Sequence, residues 1–222
     1  MIKIVNYGLG NIQAFANIYK RLNIEYAVAS SPEELLASDR IILPGVGAFD
    51  WAMALLNESG MRDVLDELVV KKNIPVLGVC VGMQIMARRS EEGSLPGLGW
   101  IDAEVCKFSK ESGVRSEDSE KIKRLEGERT REGRLSLPHM GWNDVVPRNG
   151  DCLFNGLEKD ARFYFLHSFY VHPDKDDNIL AETDYNGTFS CAIRSGNIFG
   201  VQFHPEKSHH WGIRLLKNFA EM

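Results

Sequence analysis

The apolar segment Pro75 to Val79 runs straight into Gly78-Val79-Cys80-Val81-Gly82 and then into the helix-like run Met83-Gln84-Ile85-Met86-Ala87. Few strings constrain a chain more tightly. A strand that turns at once into a helix forces its central residue into a strained conformation, and the flanking glycines let neighbouring backbone come close. The pattern is that of the G-x-S-x-G nucleophile elbow with cysteine in place of serine. It predicts a thiol exposed at the carboxyl end of a strand, at a helix N-terminus that favours its thiolate, with the Val81 amide aimed at a substrate oxygen. A lone cysteine between two valines would otherwise read as a buried core thiol; the glycine pair and the strand-to-helix context reverse that preference.

The segments before the elbow alternate in kind. Ile2 to Val5, Tyr26 to Ala29, Arg40 to Leu43 and Pro75 to Val79 read as short strands. Between them lie an amphipathic stretch through Leu22, a short helix opened by Ser31-Pro32, and helical pattern over most of Ala48 to Lys72. Apolar strands separated by helices predict a parallel sheet covered on both faces, with its sites at the carboxyl ends of the strands. Those ends fall after Val5, Leu43 and Val79. The second half reads differently: Phe163 to Phe169, Ile179 to Thr183, Phe189 to Arg194 and Ile198 to Phe203 are strands at short spacing. They are joined by Asn186-Gly187 and Ser195-Gly196-Asn197 turns and followed by a helix over Trp211 to Ala220. The expectation is one α/β domain over residues 1–222 with a central mixed sheet flanked by helices, its antiparallel strands added late. A charged surface insertion at about 107–134 mixes both signs and reads as a solvated excursion.

Bulk properties narrow the function classes. A chain of 222 residues with 44% hydrophobic content and a formal net charge of -5 gives no electrostatic reason to expect nucleic acid or a membrane surface as partner. No stretch reads as a signal peptide, and no apolar run approaches the roughly 20 residues of a membrane span. Cys80, Cys106, Cys152 and Cys191 are scattered without CxxC spacing, so they read as reduced thiols in a cytoplasmic protein, without a disulfide, metal or cofactor. Core packing is the expectation for Cys106, Cys152 and Cys191.

A cysteine nucleophile needs a base, and the base an orienting group. Gly200-Val201-Gln202-Phe203 reads as a strand ending in His204-Pro205-Glu206. Residues two apart in extended chain share a side, so His204 and Glu206 are expected to project together. The order Cys80, His204, Glu206 differs from that of α/β-hydrolases, where the acid precedes the histidine. Pro44-Gly45-Val46-Gly47 either supplies a second oxyanion donor or is simply a tight strand-to-helix turn; both readings fit the residues equally.

The strings PGVGAF (44 to 49), GVCVGMQ (78 to 84), PHMGWN (138 to 143), FLHSFY (165 to 170) and GVQFHPEKS (200 to 208) together resemble the class I glutamine amidotransferases. Among those they are similar to the glutaminase subunits of imidazole glycerol phosphate synthases. The likeness runs from NYGLGN (6 to 11) to LLKNF (215 to 219). It implies a flavodoxin-like fold and hydrolysis of L-glutamine to glutamate and ammonia by a Cys80, His204, Glu206 triad. It further implies an oxyanion hole from the amides of Val46 and Val81, and substrate contacts from Gln84, Glu92, Gly45 and Gly47. A (β/α)8-barrel cyclase subunit is the implied partner, a heterodimer facing Asn11, Trp142, Asn143 and Lys207 and receiving the ammonia for histidine biosynthesis. Two departures stand out. Val81 replaces the usual leucine, and the charged excursion is longer than family members usually have. The second leaves open a paralogue feeding a sugar amidotransferase in surface-polysaccharide biosynthesis. A cysteine hydrolase or stress protein of the same superfamily would have no need of Gln84, Glu92 or PHMGWN, and a non-catalytic binding module would be expected to lack part of the triad.

Overall fold

The computed structural model describes residues 1–108, 136–148 and 150–222. The charged excursion therefore lies almost wholly outside the described residues. Its expected start does not hold, because Lys107 ends a strand and Phe108 is buried among Tyr170, Phe189 and His167.

The strands are β1 (Ile2–Val5), β2 (Tyr26–Ala29), β3 (Arg40–Gly45), β4 (Val76–Cys80), β5 (Arg89–Ser90), β6 (Ala103–Lys107), β7 (His139–Asp144), β8 (Val146–Pro147), β9 (Arg162–His167), β10 (Phe169–Pro173), β11 (Ile179–Asp184), β12 (Thr188–Ser195) and β13 (Ile198–Val201). Eight of them form one sheet in the order β2-β1-β3-β4-β13-β12-β11-β8. The first five run parallel, and β12, β11 and β8 are added antiparallel. β1, β4 and β13 are buried along their whole length, as strands covered on both faces must be.

The helices are α1 (Ile12–Arg21), α2 (Pro32–Leu35), α3 (Phe49–Glu58), α4 (Arg62–Asp66), α5 (Val81–Gln84) and α6 (His209–Glu221). α1 buries Phe15, Ala16, Ile18 and Tyr19 and carries Lys20 and Arg21 in its last turn, where cations complement the helix dipole. The helical stretch expected from Ala48 to Lys72 is interrupted at Ser59-Gly60-Met61 and ends in a π-helical turn over Glu67–Lys71. The helix after the elbow begins at Val81 and lasts one turn.

The strand expected over Phe163 to Phe169 is two strands. The chain leaves β9 at His167 and enters β10 at Phe169. β9 pairs antiparallel with β7, and β10 pairs with β6 in a second small sheet, β10-β6-β5. The Leu166-His167-Ser168-Phe169 corner between them lies over the carboxyl end of β4. The outer positions of β7 and β9 leave Met140 at 65%, Trp142 at 41% and Leu166 at 37% exposure, while His139, Phe163, Phe165 and His167 point inward. Among the remaining cysteines Cys106 and Cys191 pack in the core, and burial pushes the Cys191 thiol up. Cys152 does not fill the core: it is exposed at the start of a 3-10 turn over Cys152–Phe154, whose Leu153 and Phe154 take the buried positions.

Candidate active site

The elbow is present in the backbone. Cys80 sits at φ 56°, ψ -114°, a conformation that costs a non-glycine residue on the order of 1–3 kcal/mol and persists only where packing enforces it. The enforcement comes from neighbours too close for side chains. A Cβ on Gly82 would overlap the Leu43 carbonyl oxygen, and one on Gly78 would lie 2.6 Å from Met86 Cε and 2.7 Å from Gly82 O. β3 runs beside β4 with Gly45 opposite Cys80, so the Pro44 to Gly47 turn lies alongside that thiol. Tyr7, from the end of β1, donates its hydroxyl to Pro44 O at 2.8 Å. Burial, helped by the neighbouring Cys80, pushes that phenol up, so it remains a donor.

His204 lies beside Cys80 and is itself buried. Its Nδ1 is 3.0 Å from Glu206 Oε1, whose side chain is 2% exposed. Burial alone would lower the imidazole. Hydrogen bonding to the Cys80 sulfur and to Glu206 outweighs it and raises His204 to about 10, so the arrangement favours an imidazolium beside sulfur. The expected reason for the His204–Glu206 pairing was extended chain, and the cause differs. β13 ends at Val201, and Glu206 reaches back from a 3-10 turn over Pro205–Lys207. Ser208 fastens this turn: its hydroxyl donates to His204 O at 2.6 Å and accepts from Tyr164 N at 3.0 Å, while His204 N donates to Tyr164 O at 2.8 Å. Glu206 Oε2 is buried without a hydrogen-bond partner.

A cavity of about 270 Å³ opens above these groups. Cys80, Val81, His204, Val46 and Gly47 line one side, and Gln84, Glu92, Lys207 and the Leu166 to Phe169 corner line the rest. Gly45 does not line it but packs against the elbow, where a Cβ would overlap Gly82 N. Gln84 is 3% exposed and gives its Nε2 to Phe169 O and Gln202 Oε1, both at 3.1 Å. Glu92 Oε2 accepts from Phe49 N at 2.8 Å, capping α3. Asn11, Trp142 and Asn143 stand outside the cavity. Asn11 and Trp142 are exposed, the latter with its ring 5.1 Å from that of His209, whereas Asn143 is half-buried and turns its amide inward to Asp184 O at 2.7 Å. Among the described residues no group of His, Cys, Asp and Glu is disposed to hold a metal ion.

Three further polar residues belong to this neighbourhood without having been singled out from the sequence. Gln202, wholly buried, places Nε2 3.8 Å from Cys80 Sγ. Reading Gly200 to Phe203 as a strand that ends at His204 puts Gln202 on the side of His204, and that was a usable signal even though β13 stops at Val201. His139 and His167 form a buried pair, Nδ1 to Nε2 at 3.0 Å. Burial pulls His139 down to about 4. It pulls His167 to about 3 despite the Phe169 carbonyl, so both rings are neutral at ordinary pH.

The chain matches the family described as glutamine amidotransferase class-I over residues 3–222. It is 56% identical to the imidazole glycerol phosphate synthase subunit HisH of Bdellovibrio bacteriovorus and 48% identical to the subunit of that name from Leptospira interrogans. Both alignments cover 222 residues and the whole of each chain, so the likeness runs through the charged excursion as well. Among solved structures it superposes on a glutamine amidotransferase with a TM-score of 0.69 at 18% identity, covering 100% of this chain and 99% of the other.

Proposed function

The chain belongs to the class-I glutamine amidotransferase family, and we propose that the cavity above Cys80 is where it hydrolyses L-glutamine, with Cys80, His204 and Glu206 as its triad. Its activity is that of a glutaminase subunit of imidazole glycerol phosphate synthase in histidine biosynthesis, as its full-length likeness to such subunits supports. One observation carries the site assignment. The strained elbow presents a sulfur beside a histidine, both facing one cavity, and a buried carboxylate holds that histidine from behind.

The chemistry follows from that geometry. Sulfur, its proton held by His204, attacks the side-chain amide carbon of glutamine, and the carbonyl oxygen takes up the negative charge. The amides of Val46 and Val81 stabilise this oxyanion, and loss of one such donor typically costs on the order of 100- to 1000-fold in rate. His204 gives its proton to the departing nitrogen as the C–N bond breaks, leaving ammonia and a γ-glutamyl thioester on Cys80. Water, losing a proton to His204, cleaves the thioester to glutamate and restores the thiol. Glu206 holds the imidazole in register throughout. Gln84 and Glu92 face the amino-acid end of the substrate.

Ammonia released here passes to a (β/α)8-barrel cyclase subunit in a heterodimer, within the cytoplasm. The outer face of β7 and β9 supports docking of that partner. Met140, Trp142 and Leu166 form an exposed apolar group close to Lys207 and the cavity mouth. No helix among the described residues is long and apolar enough to cross a membrane. Glutamate release measured with and without the cyclase subunit and its nucleotide ligand tests this function. Release should be very low for the chain alone, rise sharply in the assembly, and vanish with Cys80→Ala while the assembly still forms. Retained turnover in that variant refutes the triad. Activity coupled only to a sugar amidotransferase would move the chain to surface-polysaccharide synthesis.

A further inference from the structure

Gln202, His139 and His167 are buried polar groups that the reaction above leaves unused, and they are joined. The join can be read from one backbone carbonyl. Phe169 O can only accept, and two donors converge on it: Gln84 Nε2 at 3.1 Å and His167 Nδ1 at 2.8 Å. A neutral imidazole has one ring proton, so that of His167 is spent on Phe169 and its Nε2 must accept. The proton facing it therefore lies on His139 Nδ1, at 3.0 Å. His139 Nε2 then accepts from Asn143 Nδ2 at 3.3 Å, whose other hydrogen goes to Asp184 O. The same carbonyl sets the other arm. With Gln84 Nε2 held on Phe169, that nitrogen is also the atom that meets Gln202 Oε1, at 3.1 Å, and Gln202 Nε2 is left facing Cys80 Sγ at 3.8 Å. Every donor in the chain is assigned, and the last one faces the sulfur.

We propose that Gln202 is a catalytic residue that donates a hydrogen bond to the Cys80 thiolate, and that Gln84, His167 and His139 are positioning residues that fix its amide in that orientation. The proposal rests on Cys80 being the nucleophile. A hydrogen bond to an ionised acceptor is stronger than one to a neutral acceptor, so the Gln202 amide stabilises thiolate over thiol. In the thiol form the S–H instead faces Leu166 O at 3.9 Å. Gln202 thus acts on the waiting nucleophile, whereas the amides of Val46 and Val81 act on the oxyanion that follows. The neutrality that burial imposes on His139 and His167 is what the proton assignment requires.

The test is the pH dependence of Cys80 alkylation by iodoacetamide in the full chain, in a Cys152→Ser background so that the exposed thiol does not report. The titratable groups around the sulfur are Tyr7 from the end of β1, Glu92 after β5, His167 from β9, and His204 and Lys207 from the turn after β13, with Glu206 behind His204; all are retained in the Gln202 and Gln84 variants. Gln202→Met should move the alkylation midpoint up by about one pH unit, a roughly tenfold slower reaction below the midpoint. Gln202→Glu should move it further, since an ionised carboxylate repels the thiolate. Gln84→Met and His139→Leu should move it in the same direction by less, whereas His139→Asn, which keeps a donor at the Nδ1 position, should restore it. Thermal melting identifies any variant that has lost its fold, and the remaining ones decide the matter. An unmoved midpoint in a folded Gln202→Met or Gln202→Glu protein overturns the donor role, and equal effects of His139→Leu and His139→Asn overturn the positioning role. Glutamate release by the wild-type assembly is read separately. Its absence defeats the nucleophile assignment, while normal release with unmoved midpoints defeats only the hydrogen-bond chain.

Discussion

The parallel part of the large sheet and the two small sheets above it hold Cys80 from opposite sides by different means. Below the sulfur, β1, β3, β4 and β13 are apolar and fully or almost fully buried, and they fix the elbow through close backbone contact, with Gly78 and Gly82 against Met86 and Leu43. Above it, β7, β9 and β10 are aromatic and histidine-rich. His139 stacks between Phe165 and Tyr185 at 4.6 and 3.9 Å, and the Leu166 to Phe169 corner is held by polar bonds. A dry, close-packed floor suits a strained residue because it has no alternative arrangement to relax into. A hydrogen-bonded roof can change partners at modest cost, which suits the surface proposed above to admit substrate and meet the cyclase subunit. The proposed nucleophile and base straddle the two: Cys80 belongs to the floor, while His204 is fastened to β9 through Tyr164 and Ser208.

The sharpest way to break the comparison is at that junction. His204→Asn should lower glutamate release by the assembly about 10³- to 10⁴-fold in protein that still folds and assembles. Gly82→Ala should do the reverse and attack the floor. Its methyl would overlap Leu43 O, and overpacking of this kind costs about 1–3 kcal/mol, seen as a lower urea midpoint with unchanged slope. If Gly82→Ala were as stable as the wild type, the elbow would not be enforced by packing.

The floor was largely legible from sequence because its signals are local. Ile2 to Val5 is apolar but for Lys3, Pro75 to Val79 is an uninterrupted apolar run, and Gly-x-Cys-x-Gly announces its own turn. The roof was not. Phe163 to Phe169 alternates as one strand would, and nothing in that pattern marks Ser168 as the point where the pairing partner changes from β7 to β6. His139-Met140-Gly141-Trp142-Asn143-Asp144 contains residues poor in strand propensity, and it is a strand because β9 pairs with it. The His139–His167 pair joins residues 28 apart, and Gln202 reaches Cys80 across 122. Single-chain periodicity reports which side a residue faces, not what waits there.

Acid should separate the two regions next. His139 and His167 have folded-state values of about 4 and about 3, below the 6.5 of an unfolded histidine, so the unfolded chain binds more protons between those limits. Stability should therefore fall as pH drops from about 6.5 toward 3, and the roof should yield first. Trp142 on β7 and Trp100, whose Nε1 donates to Asp66 beside the helical layer, are separate reporters. In single-tryptophan variants Trp142 fluorescence should change at a higher pH than that of Trp100; coincident transitions would mean that floor and roof unfold as one. His204 works in the opposite window. Its value is raised to about 10, so its contribution is complete below 6.5 and is lost as pH climbs toward 10.

The smallest expected effect concerns Glu92, which the comparison leaves between regions. Its Oε2 accepts from Phe49 N, although 43 residues separate them, and it supplies the cap that Ala48 at the start of α3 cannot. It also lines the cavity, where its charge is available to an amino-acid ammonium. The two duties separate by substitution. Glu92→Ala removes both and should cost about 1 kcal/mol of stability, the usual worth of an N-cap acceptor. Glu92→Gln keeps an oxygen for Phe49 N and discards only the charge, so stability should stay within about 0.5 kcal/mol of wild type. If the carboxylate also meets the substrate, the KM for glutamine in the assembled enzyme should rise about tenfold with kcat nearly unchanged, because charge lost from substrate and transition state alike removes uniform binding. A KM unchanged in Glu92→Gln but raised in Glu92→Ala would assign Glu92 to the floor alone, a cap that steadies the turn beside Val46 without touching glutamine.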